Sequence, residues 1–118
     1  MNTKQFNQIL DRRLKLSKEI LSNKAKEYAT TDRLHNFKVA ARILNTTPED
    51  ALRGMMMKHI VSVFDLIDNV DDNNNNLMAA TELDKSLYIR LIEEKIGDTI
   101  NYLILLESLL KERLSNDK

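Results

Sequence analysis

Apolar side chains three and four residues apart run through most of this 118-residue chain, and that spacing narrows its fold more than any other feature. Phe6, Ile9, Leu10, Leu14, Leu16, Ile20 and Leu21 recur at the helical period with charged residues between them. They predict one long amphipathic helix over about Thr3–Glu27. Competing signals are weak. The chain has two glycines and one proline, so little turn chemistry and almost no strand vocabulary. Leu, Ile, Lys, Glu and Asn dominate, as in an all-helical chain.

Three more helices follow from the same pattern. "YATTD" interrupts the first, and Asp32 is placed to cap a second through "RLHNFKVAARIL". "NTTPEDAL" is the clearest start signal. Thr47 stands at the N-cap and Pro48 at the first helical position, with Glu49 and Asp50 near the positive helix end. This third helix is expected to reach about Asp68. "DNVDDNNNNLMAATELD" then reads as polar and aperiodic, and residues 71–83 are assigned to a flexible loop. The last helix is expected to start between Thr81 and Asp84 and to end near Leu114. Its apolar stripe is Ile92, Ile96, Thr99, Leu103, Leu106 and Leu110. The fold class is all-α, a four-helix bundle in a single domain over 1–118. The long leucine- and isoleucine-rich first and last helices, and the adaptable Met55–Met57 run, lead to the expectation of a homo-oligomer, dimer or tetramer.

Several function classes drop out. Charge balances at 18 basic against 18 acidic residues, so no general nucleic-acid binding and no attraction to anionic membrane is expected. No apolar run is long enough to span a bilayer, and "MNTKQFNQIL" lacks a signal peptide's apolar core. The expected location is cytoplasmic. There are no cysteines and two histidines, which removes disulfides and makes zinc a poor fit. There is no Gly-rich phosphate loop and no nucleophile elbow.

Two polar lines interrupt the apolar pattern. Glu94, Asp98 and Asn101 stack on one face of the last helix. Lys58, Ser62 and Asp65 repeat that spacing on the third. Facing each other, they make a polar cleft inside an apolar body, and carboxylates with an amide oxygen suit Mg²⁺. As ordinary solvated faces, they leave Lys58 to pair with Glu94 or Asp98. A third concentration of polar and aromatic groups is Lys26, Tyr28, Arg33, His35, Asn36 and Lys38. Tyr28 or Phe37 suits stacking on a base, Asn36 suits reading its edge, and Arg33 and Lys38 suit phosphates. Core packing is the favoured role for Phe37. His35 fits a hydrogen-bonding cap residue, and His59, among Met55, Met56, Ile60 and Val63, a core histidine.

"EKIGDTINYLILL" resembles the third-motif helix of MazG-like all-α nucleoside triphosphate pyrophosphohydrolases, especially small phage and bacterial relatives in which it continues into Asp-x-x-Asn-Tyr, here Asp98, Asn101 and Tyr102. "KEYATTDRLHNFKVAA" is similar to the segment before the second helix in those relatives, and "MKHIVSVFDLI" sits where the family places its first acidic motif. The resemblance spans about Lys24–Glu107. It implies a MazG-like bundle, a Mg²⁺-dependent cut between α and β phosphates, and metal held by carboxylates, with Glu94 and Asp98 matching two family acids.

The departures matter. The family's second Glu is Lys95 here, and the preceding acidic motif keeps only Asp65. A protonated lysine has no lone pair for a metal. Lys58 and Lys95 are instead suited to contact phosphates directly. The expectation is a phage-type protein, in the bacterial host cytoplasm, that binds or sequesters a phosphorylated nucleotide with little or no hydrolysis, a defence signalling nucleotide being one candidate. Its nucleotide contacts are Lys26, Tyr28, Arg33, His35, Asn36, Lys38, Lys58, Lys95, Asn101 and Tyr102; Mg²⁺, where used, falls to Asp65, Glu94 and Asp98. The alternatives are an active Mg²⁺-dependent pyrophosphohydrolase and a helical protein-interaction adaptor.

Overall fold

A computed structural model describes the backbone of residues 1–27, 32–78 and 82–116, and the side chains of residues 1–24, 32–70 and 85–115. It contains α1 (Thr3–Glu27), α2 (His35–Leu44), α3 (Pro48–Met78) and α4 (Glu82–Asn116), with no strand among the described residues.

Local chemistry sets the ends of these helices. Asn2 and Gln5 form a reciprocal capping box: each backbone N–H donates to the other's side-chain oxygen at 2.9 Å. Asp32 does not cap α2 directly. The helix begins at His35 with Leu34 at the N-cap, and Asp32, two residues before that position, accepts the Leu34 N–H through its carboxylate at 3.0 Å. At the other end Asn45 takes the left-handed conformation and Thr46 N–H donates to the Ala41 carbonyl at 2.9 Å, a Schellman-type stop. Thr47 then caps α3 as expected, its Oγ1 accepting the Asp50 N–H at 3.2 Å.

α3 continues to Met78, well past Asp68 and through much of the stretch assigned to a loop. No glycine or proline lies between Gly54 and Met78. Asparagine costs a helix only a fraction of a kcal/mol, and each added residue gains a hydrogen bond. A polar sequence without periodicity is therefore not a stop signal. Residues 79–81 lie outside the described ones.

α3 and α4 pack antiparallel: the neighbourhood of Leu52 meets Leu106, His59 meets Asp98, and the Leu66 carbonyl accepts the Tyr88 hydroxyl at 3.4 Å. α2 packs on α3, and α1 packs along α4. The buried core is Leu34, Phe37, Leu52 and Leu109, backed by Met56, Tyr102, Leu105 and Leu106. All of these come from α2, α3, α4 and the turn before α2.

Among its described residues α1 contributes no buried apolar side chain. Phe6, Ile9, Leu10, Leu14 and Ile20 are exposed, while Ser17 is buried. α4 likewise departs from expectation, since Ile96, Leu103 and Leu110 of its apolar stripe are exposed and the core takes Leu109 and Leu105 instead. α1 is held largely by polar groups. Arg12 pairs with the Glu93 carboxylate, with a second hydrogen bond of 3.1 Å. Arg13 donates to the Glu93 carbonyl at 2.9 Å. Arg33 donates to the Leu21 carbonyl at 2.7 Å. The Arg13 guanidinium lies over Gly97, where a Cβ would meet its Nη1 at 2.5 Å. The glycine of "EKIGD" thus has a packing role: it lets an arginine cross close to the α4 backbone.

Candidate functional site

A small cavity of about 130 Å³ opens where the C-terminal half of α1 passes the start of α2 and the middle of α4. α1 supplies Ile20, Leu21 and Lys24. Arg33 comes from the turn before α2, Asn36 and Phe37 from the start of α2, and Met55 from α3. α4 contributes Asp98, Asn101, Tyr102 and Leu105, one helical face at three- and four-residue spacing. Five of the expected site residues therefore meet here: Arg33, Asn36, Asp98, Asn101 and Tyr102.

Asn101 is the most informative of them. It is 6% exposed, and its Oδ1 is buried without a hydrogen-bond partner. An orphaned buried acceptor costs about 1–3 kcal/mol, and buried polar groups are ordinarily paired. Asn101 lines the cavity, and a donor reaching its amide from there would satisfy that oxygen. Asp98 is half-buried, with Oδ2 3.6 Å from His59 Nδ1. The His59 ring stacks on Tyr102 at 4.9 Å, and Tyr102 meets Phe37 edge-on at 6.4 Å. The aromatic wall is thus continuous with the core, which matches the packing roles read for Phe37 and His59. The Arg33 guanidinium is steadied by the Leu21 carbonyl, so its charge sits at a defined place on the rim.

The remaining expected residues lie elsewhere. Lys38 joins Asp32, at 2.7 Å, and Glu112 in a clamp from α2 to α4. Those hydrogen bonds hold the Lys38 ammonium above its ordinary pKa, Asp32's bond first and Glu112's next. The Asp32 carboxyl is held below its ordinary value, first by the Lys38 bond and then by the Leu34 N–H. Lys38 is a structural tie. His35 is half-buried in the first turn of α2, its N–H donating to the Asp32 carbonyl at 3.2 Å. Lys95 is half-buried off the cavity. The Lys26 side chain and Tyr28 lie outside the described residues.

The two polar lines do not face each other. Lys58, Asp65 and Glu94 are exposed, while Asn101 and Asp98 line the cavity and the Asp98 carboxylate also stands against His59 of α3. The α3 line sits on the side away from α4, because Leu52, Met56, His59 and Leu66 occupy the contact face and leave Lys58 and Asp65 roughly opposite it. Asp65 also lies level with Tyr88 along the antiparallel pair, more than two turns from Asp98. As a set for one Mg²⁺, Asp65, Glu94 and Asp98 do not fit. Among the described residues no three His, Cys, Asp or Glu side chains gather as metal ligands.

Lys24 is the lining cation that sequence reasoning missed. Its signal was present: it follows Ile20 and Leu21 at helical spacing at the end of α1's inward face. No family model, no curated protein and no solved structure matches the chain.

Proposed function

We propose that this chain is a nucleotide-binding protein that holds a phosphorylated nucleotide in the cavity between α1, α2 and α4, with little or no hydrolysis. The observation that carries the reading is the buried, unpartnered Asn101 Oδ1 in a wall that also bears two cations and two aromatic rings. An amide oxygen needs a donor, and a nucleobase amine or ring N–H supplies one. A phosphate in its ionised form does not. Tyr102 offers a flat apolar surface to the base, and Asn36 a second amide for its edge. Lys24 and Arg33 carry the charge that phosphates require.

Size decides how the ligand sits. Pockets that enclose a drug-sized molecule span about 300–1,000 Å³, whereas this cavity is about 130 Å³. It accepts the base, and the sugar and phosphates extend along the rim past the exposed Lys24. Among the described residues Asp98 is the single carboxylate in the cavity wall, and it stands against His59. Little hydrolysis is expected because Asp65 and Glu94, the other two acids of the resemblance, lie on other faces.

Thermal shift against mono-, di-, tri- and cyclic nucleotides tests binding, since a ligand that binds only the folded state raises its stability. At a hundred times its Kd a nucleotide stabilises the fold by about 2.7 kcal/mol. A panel in which no nucleotide raises Tm overturns the proposal. Chromatography after incubation with Mg²⁺ tests the second clause: unchanged nucleotide supports sequestration, and monophosphate plus pyrophosphate, lost in Asp98→Ala, replaces it with the pyrophosphohydrolase reading.

A further inference from the structure

The strongest apolar pattern in the sequence is not buried by its own chain. Ile89, Ile96, Leu103 and Leu110 stand exactly seven residues apart on α4, and Ile89 and Leu103 remain 56% and 49% exposed. The strip runs about 32 Å along the helix. A seven-residue apolar repeat is the pattern by which one helix packs lengthwise against another, and among the described residues no helix covers it fully.

Neighbouring helices widen the strip into a face. On one side it joins Phe6, Ile9 and Leu10 of α1 across an apolar groove of about 620 Å³. On the other, α3 and α4 leave a second groove lined by Leu52, Met56, Met57, Ile60 and Leu106, Met57 being 52% exposed. α2 packs on α3 and reaches α4 through Phe37 and Lys38. Arg12 and Glu93 form a charged pair at the groove edge, the polar rim common to interfaces.

The whole-molecule dimensions agree. A compact monomer of 13.7 kDa exposes about 6,600 Å², while this chain exposes 8973 Å². Its radius of gyration is 17.6 Å, against about 13.5 Å for a compact domain of this length. The excess of about 2,400 Å² belongs to the elongated chain as a whole, and a standard interface needs about 800 Å² per partner.

We propose that this face, built by α4 with the flanks of α1 and α3, is the seat of a second copy of the same chain in a two-fold dimer. Self-pairing fits because a two-fold axis sets one antiparallel α3–α4 pair on another, bringing each seven-residue strip against its own copy. Formal charge is zero, so two copies do not repel. A bilayer is a poorer occupant, since no described helix is long and apolar enough to cross one and the rim is balanced rather than basic.

Sedimentation velocity on the wild-type chain at micromolar concentration tests this. The expected mass is twice 13.7 kDa, and Tm rises with protein concentration. Ile96→Glu combined with Leu103→Glu removes the dimer, leaving a chain at half the mass. In case those charges also prevent folding, the chain's lack of cysteine provides a second measurement. Leu103→Cys is expected to give a covalent dimer with a short bis-maleimide, whereas Arg42→Cys, exposed on α2, gives none. A wild-type monomer with a concentration-independent Tm overturns the proposal, whether it stays free in solution or sediments with lipid vesicles. Equal cross-linking of Leu103→Cys and Arg42→Cys overturns it as well.

Discussion

Replacing Asn101 with leucine gives opposite signs for a structural and a ligand-binding asparagine. A buried asparagine that is hydrogen-bonded stabilises the fold, and its loss orphans the partner at about 1–3 kcal/mol. Asn101 Oδ1 has no partner to orphan. Asn101→Leu removes an unsatisfied acceptor and adds apolar volume beside a cavity of about 130 Å³, so overpacking is avoided. The expected change is a stabilisation of about 2 kcal/mol, which for a chain of this length is a Tm rise of roughly 8 °C. The same variant loses the thermal shift given by the nucleotide that stabilises the wild type. Ser17→Ala is the control. Ser17 Oγ is also buried without a partner, but it does not line the cavity. That variant is expected to stabilise the free protein and to keep the ligand shift. A destabilised Asn101→Leu, measured by chemical denaturation, would show that the oxygen is satisfied within the fold. A stabilised Asn101→Leu that still binds would move the ligand out of this cavity.

Three further outcomes follow from the geometry. Gly97→Ala gains about 1 kcal/mol of helix propensity but displaces the Arg13 guanidinium that lies over it, so it should be near neutral in the wild type and stabilising by about 1 kcal/mol in an Arg13→Ala background; equal effects in the two backgrounds refute the crossing. Lys24→Ala should weaken nucleotide binding at least tenfold and Lys95→Ala less than threefold, measured by titration calorimetry, because Lys24 alone of the two lines the cavity. For the Lys38 clamp, Asp32's lowered pKa gives stability that is complete above the ordinary 3.8 and lost as pH falls through the folded value. Lys38's raised pKa gives stability complete below 10.5 and lost as pH rises through its folded value. Lys38→Met should therefore flatten the stability profile at both ends. Its cost at neutral pH should stay below about 1 kcal/mol per pair, since these side chains are a third exposed.

Helix identity was legible in the chain because it is a local property. The capping chemistry of Thr47 and Pro48, the 3.6-residue period of α1 and the scarcity of glycine and proline each act within a few residues, and α1 lies where the period put it. The Asn-rich stretch misled for a related reason: lack of periodicity reports the absence of a packed face, not the end of a helix. Arg33, Asn36, Asp98, Asn101 and Tyr102 were recognisable as polar and aromatic groups set into apolar surroundings.

Which of these groups meet was decided only by tertiary packing. A helix shows several faces, and spacing alone cannot say which neighbour each face receives. The antiparallel register of α3 on α4 turned Lys58 and Asp65 away from Asp98. The crossing of α1 brought Lys24 to Asn101, from 77 positions away in the chain. That crossing also left the seven-residue strip of α4 uncovered, although from periodicity alone it resembles a core. Period records which residues share a face; only the arrangement of helices determines whether that face meets its own chain, a ligand or another molecule.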